Sequence, residues 1–482
     1  MAPVSDCCSR AAGPGYKTPA DAMKGPKETL LYIACIQPYP DQRKSPDYIA
    51  TIDVDPSSSS YMQVIHRAYM STVGDEIHHF GWNSCSSCCN DPTKKRNKII
   101  VPALGSDRIH IFSVSDPKAP KLIKVIQPEE VHALDASALH TTHCLPSGEI
   151  MISAMGDGTG EGICNFILID NATDSLKGVW TSQDNIRPAK FGYDFWYQPY
   201  WDVMVSSEWG IPNKFKPGFK EEHATDPETY GRSLNIFSWS KRKLTQIIDL
   251  GVEGITPLEL RFLHEPTASE GFVGCGYPGH IFRFFRKDDG SWAAEKVIHI
   301  SKKKVQGHSE PVLGGMTLDI IISMDDRYLY TNNWMHGDVC QYDITDTKNP
   351  KLVGQIFLGG KLLKDGPLKL IDDPHLKEQP DPVYVKGRKL DGAPQMMQLS
   401  LDGKRLYVST SVFSPWDKQF YPDHVKNGSY LVKVNVNTDT GGLTLDLDFM
   451  VDFAKEPNGP ILAHEIRYPG GDCTSDIFMK QS

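Results

Sequence analysis

Short apolar runs alternate with polar positions along almost the whole chain. YIATIDVD (48–55), RIHIFSVSD (108–116), NFILID (165–170), WDVMVSSEWG (201–210), LNIFSWS (234–240), HIFRFFRK (280–287), DVCQYDITD (338–346) and YLVKVNVNTD (430–439) are each bounded by Gly, Pro, Asp or Asn. A period of two, rich in β-branched and aromatic residues and closed by turn formers, predicts half-buried strands. Helical periodicity is scarce, and 40 Gly and 34 Pro suit many turns rather than long helices. Met155-Gly-Asp-Gly-Thr-Gly-Glu-Gly lacks the lysine of a phosphate loop and predicts a hairpin turn.

The strands recur as a unit. ISMDDRYLYTNNWMHGDVCQYDITD (322–346) and LSLDGKRLYVST (399–410), the latter followed by YLVKVNV, share a strand, an Asp-containing turn, a strand ending in small residues, a loop and a further strand. Weaker copies surround NFILID and LNIFSWS, at intervals of roughly 50–90 residues, somewhat longer than a propeller blade of about 40–50. The pattern predicts an all-β fold, a β-propeller of about seven blades closed around a central channel. Closing the ring removes the edge strands that an open stack of meanders would expose. Residues 1–30 read as a flexible or surface-draped arm and 31–482 as a single propeller domain. Polar, proline-rich inserts are expected near 211–230 and 360–395.

With a formal net charge of -9 and no basic stripe, a nucleic-acid partner is excluded. No apolar stretch approaches the ~18–20 residues that span a bilayer, and no secretory signal is expected from the first residues. Eleven cysteines are too few for a disulfide framework in a chain of 482 residues.

Histidines cluster at the junctions between strand-rich segments: His78 and His79, His140 and His143, His264, His336 and His464. Neutral imidazole is the commonest protein ligand for copper, zinc and iron, and a ring would let such distant residues share one ion. Neighbouring strand residues point to opposite faces, so one of the pair 78–79, His79, is favoured. Carboxylates beside the histidines would orient the second ring nitrogen or take protons; the candidates are Glu465, Asp338, Asp319, Glu259 and Glu208. Cys85-Ser-Ser-Cys88 is half of a zinc site with no second pair, and fits a reactive dithiol or a soft-atom site equally well. Cys473 is expected to be exposed.

GYDFWYQP (192–199), RFLHEP (261–266), LSLDGKRLY (399–407), WDKQFYP (416–422) and AHEIRYPGGDCTSDIF (463–478) identify a resemblance to the selenium-binding protein / methanethiol oxidase family. HHFGWNSCSSC (78–88) and LHTTHC (139–144) fit it too, and the resemblance runs from about residue 14 to the C-terminus. It implies a β-propeller and a copper-dependent oxidase. Methanethiol, O2 and water would give formaldehyde, hydrogen sulfide and hydrogen peroxide. The copper ligands would come from His78, His79, His140, His143, His336 and His464. The same resemblance implies covalent selenium binding, a cytosolic protein with nuclear and peripheral-membrane pools, and a suggested role in intra-Golgi transport. Where mammalian members carry a selenium-linked cysteine before Gln-Val-Ile-His-Arg, this chain has Met62. A thioether forms no selenenyl sulfide, which leaves Cys85 and Cys88 as the thiols for selenium. A selenium or electrophile sensor without catalysis, or a structural zinc propeller, are the competing expectations.

Overall fold

The computed structural model describes residues 13–182 and 189–480. Seven four-stranded antiparallel sheets follow one another along the chain, as the strand pattern predicts. Their innermost strands are Gly81–Trp82, Ser137–Cys144, Phe195–Gln198, Ile255–Phe262, Ile320–Ile322 and Met397–Leu399 in blades 2 to 7, and Leu462–Arg467 in blade 1. Blade 1 takes its other three strands from the opposite end of the chain, Leu30–Ile36, Tyr48–Asp53 and Gln63–Tyr69. The register Tyr32↔Arg467, Ile33↔Ile466 and Cys35↔Ala463 joins the two ends. The inner strand of each sheet is its edge strand and lines the axis, and the pairing of the two chain ends within blade 1 closes the ring.

Burial falls from the axis outward. Ser137–Cys144 is buried throughout, whereas the outer strands Lys121–Ile126 and Lys243–Asp249 are mostly exposed or partly buried. Apolar clusters bridge successive blades: Tyr32 and Ala34 with Trp82 and Ile99, Ile100 with Ile152, Phe166 with Phe195 and Phe237, and Tyr407 with Ile33 and Ile466. Each blade therefore buries its faces only against its neighbours, which makes the whole ring one cooperative unit.

The Gly-rich run at 155–162 is the expected hairpin, with Gly156 opposite Gly162. The segment 211–230 carries two short helices, Pro212–Phe215 and Glu221–Ala224. In 360–395, Lys369–Leu370 joins a three-stranded sheet with Lys303–Gln306 and Val312–Leu313, and Tyr384–Val385 pairs with Arg388–Lys389. Of the arm, residues 1–12 lie outside the described residues. From residue 13 on it is tied down: the Tyr16 N–H donates to Ser86 Oγ (3.0 Å), and Glu28 pairs with Arg405 (2.8 Å).

Candidate metal centre

Six blades contribute polar side chains to the axial site, from their inner strands or the turns before them. Blade 2 supplies His78 and His79, blade 3 His140, blade 4 Tyr193 and Asp194, and blade 5 Glu259 and Arg261. Blade 6 supplies Asp319, and blade 1 His464, Glu465 and Arg467. Backbone kinks aim several of them: Glu76, Ala138, Thr256 and Met316 adopt left-handed φ values of 51–53° two or three residues ahead of His78, His140, Glu259 and Asp319. Such conformations are costly for non-glycine residues and concentrate where a fold must redirect the chain at a site. Asp47 fixes the approach to the histidine pair by accepting from the backbone N–H groups of Gln37 (2.8 Å) and Ile77 (3.0 Å).

Four imidazoles pack together in the channel. The rings of His78 and His464 stack at 3.8 Å, His79 lies 4.2 Å from His140, and His140 lies 3.8 Å from the Tyr193 ring. Ligand atoms of His78, His79 and His140 all fall within 4.8 Å of one another. The second nitrogens decide what these rings offer. His464 Nδ1 donates to the Ser411 carbonyl (2.6 Å), and His79 Nδ1 closely approaches the Glu465 carboxyl. With the proton of each ring on Nδ1, both Nε2 atoms are lone-pair acceptors, and they face each other at 3.5 Å. His140 Nε2 is buried without any partner, while its Nδ1 meets Thr141 Oγ1 at 3.0 Å. Lone pairs aimed at one another in a dry channel repel unless an electropositive species lies between them.

Burial, reinforced by the surrounding charges, keeps the rings neutral. Burial holds His79 and His140 well below the ordinary imidazole pKa; Arg467 and Arg261 add to this at His79, and His79 and His464 at His140. His464 is pushed down to about 3, first by burial and then by His79. Neutral imidazole is the form that ligates a metal. Arg261 is fixed by Asp194 (2.5 Å) and Glu259 (2.6 Å), and Arg467 by the Phe80 carbonyl (2.9 Å) and Glu465 (2.9 Å). Burial raises the carboxyls: Glu259 and Glu465 upward despite their arginines, and Asp319 to about 8. Neither Glu465 oxygen receives a well-aligned hydrogen bond, and Glu259 Oε1 and Asp319 Oδ1 are unpartnered. These acids are stationed beside the imidazoles with spare acceptor capacity.

The other sequence candidates lie elsewhere. His143 sits farther along the blade 3 strand against Phe195 and Trp196, with both ring nitrogens unpartnered. His336 and Asp338 are not brought to the axis; they line a side cavity of about 360 Å³ with Lys303, Cys340 and His375. There His336 Nε2–H donates to the Leu313 carbonyl (3.2 Å) and Asp338 accepts from Gln355 (2.6 Å). His264 is spent on Asp326 and the Cys473 carbonyl, and Glu208 on the backbone N–H groups of Arg232 and Ser233. Cys473 is buried, contrary to expectation, because the C-terminal segment folds back against blades 5 to 7.

Cys85 and Cys88 are buried and meet a third thiol, Cys144, which ends the blade 3 inner strand. Ser87 Oγ stands 3.3 Å from Cys85, 3.9 Å from Cys88 and 3.6 Å from Cys144. The hydrogen bond from Cys144 brings the Cys88 thiol down to about 6 against its burial. At Cys85 burial pushes the pKa up, but hydrogen bonds from Cys144 and Ser87 help bring it below the ordinary thiol value. Sequence reasoning missed Cys144, Arg261 and Arg467. A signal for the arginines was present: Glu259-Leu-Arg261 and Glu465-Ile-Arg467 are the same Glu-x-Arg motif on two inner strands. A second acid and imidazole group, Glu253, His280 and His299, also comes together. Its His280 Nδ1 accepts the Ile300 N–H (3.1 Å), and Glu253 is paired with Lys296 (2.5 Å). The His280 Nε2 atom therefore carries the proton and is no ligand.

A closed seven-bladed β-propeller with an imidazole-lined axial centre is the class that fold and site define. A sequence profile described as "56kDa selenium binding protein" matches residues 10–479, and the chain belongs to that family. It is 55% identical over 471 residues to the methanethiol oxidase of Xenopus tropicalis, covering 97% of this chain and 99% of that one. It is 51% identical over 469 residues to the methanethiol oxidase of Homo sapiens, covering 97% and 98%. A crystal structure of a hypothetical selenium-binding protein from Sulfolobus tokodaii superposes with a TM-score of 0.85 at 37% identity, over 97% of this chain and 99% of that chain. A periplasmic gluconolactonase of Pseudomonas aeruginosa, at 11% identity and a TM-score of 0.54, shares the fold alone.

Proposed function

We propose that this protein is a copper-dependent methanethiol oxidase, converting methanethiol, O2 and water into formaldehyde, hydrogen sulfide and hydrogen peroxide. The observation that carries this reading is the pair of opposed Nε2 atoms of His79 and His464 at 3.5 Å, with the unpartnered His140 Nε2 beside them. The donor set fits a borderline metal such as copper: neutral imidazoles, no hard oxygen cage, and an adjoining apolar space. The names of the relatives supply the substrate. Copper, when bound, supplies affinity for a soft thiolate and a route for its electrons to O2.

The chain's own residues do the rest. His79, His140 and His464 hold the ion, with His78 stacked on His464. Glu465 and the Ser411 carbonyl fix the ring orientations from the far nitrogens, as second partners of metal-bound histidines do. Glu259 Oε1, unpartnered and 3.7 Å from His79 Nε2, is placed to take the thiol proton. Arg261 and Arg467 keep the acids from accumulating uncompensated negative charge. Purified protein should carry about one copper per chain by elemental analysis, and should release formaldehyde, sulfide and peroxide in equal amounts from methanethiol. Copper-loaded protein that consumes no methanethiol would sink the assignment.

The three-thiol group favours a second reading of another part of the molecule, a selenium- or electrophile-capturing site at Cys85 and Cys88. It predicts a selenium mass adduct after selenite and thiol treatment that disappears in Cys88→Ser. An adduct that persists in that variant removes the reading.

A further inference from the structure

The insert at 360–395 folds back onto the flank of the ring and supplies one wall of the cavity of about 360 Å³ between blades 5 and 6. Asp373 pins it there. Its carboxylate pairs with Lys303 Nζ (3.0 Å) and accepts from the backbone N–H groups of His375 (2.9 Å) and Leu376 (2.7 Å). The apolar part of the lining comes from Ile298 in blade 5, Leu352 and Phe357 in the outer strand of blade 6, and Leu362 and Leu376 of the insert. A space of this size and mixed lining suits a small molecule.

Asp338 gives the cavity its charge. The residue lines the space but is itself 2% exposed. Its Oδ2 accepts from the Gln355 amide (2.6 Å) and the Cys340 thiol (3.3 Å), both neutral donors. Its Oδ1 is buried with no partner. Lys303 also lines the cavity, but it is committed to Asp373. A buried carboxylate without a counter-charge is costly, and one kept beside a cavity leaves a place for a positive group.

We infer that this cavity is a second binding site, which takes a primary ammonium on a short apolar stem, an alkyl- or arylalkylamine. Asp338 is the counter-ion and Leu376 packs on the stem. The site is separate from the axial centre and does not depend on the oxidase reading. An ammonium brings the donors that Oδ1 lacks, and a charge-assisted hydrogen bond in a half-enclosed space is stronger than one in water. A metal ion fits less well. Among the described residues, three ligand atoms converge at the axis and at Glu253, His280 and His299, and Asp338 is in neither group. An anion would meet the same carboxylate and be repelled.

2-Phenylethylamine and its uncharged isostere 2-phenylethanol separate charge from apolar fit. Dissociation constants for both are measured by isothermal titration calorimetry on the copper-loaded full chain near neutral pH. The wild type should bind the amine at about 1 mM or tighter. It should bind the alcohol at least about tenfold more weakly, the usual worth of a hydrogen bond to a charged group. Asp338→Asn keeps the shape of the wall and removes its charge, and should erase that preference. Leu376→Trp fills the cavity from the insert and leaves the carboxylate in place. It should weaken the amine by about tenfold or more, and it decides the matter if the first variant fails to fold. No amine binding, equal binding of amine and alcohol by the wild type, or an amine affinity that survives either folded variant, as coordination to the axial copper would, overturns the inference.

Discussion

Two regions of this protein contain the same kinds of side chain and do different things with them. At the axis, His79, His140 and His464 stand among Glu259, Glu465 and Asp319; between blades 5 and 6, His336 stands with Asp338, Cys340 and Lys303. Both groups are buried apart from Lys303, which is half-buried. The difference lies in the direction of the lone pairs. His336 gives its Nε2–H to a backbone carbonyl and is satisfied by the fold. The axial rings give their Nδ1–H groups away and keep Nε2 for one another. A cluster of histidines becomes a metal centre when the far nitrogens are fixed by the protein and the near ones are left facing a shared point.

The contrast is broken most severely at His140. His140→Ala should reduce copper below about a tenth of an equivalent and cut methanethiol turnover by roughly 100-fold or more, since removing one of few ligands leaves an open shell. Retained copper and activity would move the centre elsewhere. Glu465→Gln sharpens the comparison by changing only the partner of His79 Nδ1. Copper affinity should fall by about 10–100-fold, the usual effect of losing such a partner, measured by competition with a chromogenic chelator. An unchanged affinity would mean that Glu465 does not orient the ring.

His336→Ala should leave turnover and copper content within about twofold. It should instead cost ~1–3 kcal/mol in urea unfolding, because the Leu313 carbonyl loses its donor in a buried place. Loss of copper from this variant would erase the distinction between the two regions. The smallest effect is expected at His143, whose ring is buried with neither nitrogen partnered. Burial, helped by Arg261 and Arg467, holds its pKa well below the ordinary value. Its folded pKa lies below its unfolded one, so this ring's contribution to stability is complete above pH ~6.5 and is lost as pH falls. His143→Phe removes that penalty. Relative to the wild type, the variant should gain stability as pH drops below ~6.5, by about 1 kcal/mol at pH 5.5. A gap that stays constant with pH would show that His143 is not held neutral.

Much of this organisation is legible along the chain. Alternation in segments such as RIHIFSVSD and YLVKVNVNTD marks the blades, because a strand half-exposed in a meander must repeat with period two. The Gly-rich hairpin at 155–162 was readable from its turn chemistry, and His79, His140 and His464 from their places beside strands. The buried position of Cys473 was not readable. Gly-Gly-Asp-Cys-Thr has the composition of an exposed turn, and only the returning C-terminal segment covers it. Cys144 likewise looks like a core strand residue until the Cys85–Cys88 turn is laid against it.

The sequence by itself determined a propeller of about seven blades and a set of histidines able to bind a soft or borderline metal, since residue type and strand period are local properties. Tertiary structure decided which of those histidines meet. Closure of blade 1 by Leu462–Arg467 brings His464 to within 3.5 Å of His79, 385 residues away along the chain. It also decided which nitrogen each ring presents, because the Ser411 carbonyl and the Glu465 carboxylate reach the rings only once the ring of blades is complete. The same closure leaves His336 out, on the flank of blade 6, where its Nε2–H already has a carbonyl to serve. Ligand identity is a matter of composition, but ligand geometry depends on contacts between distant segments, and no local pattern encodes those.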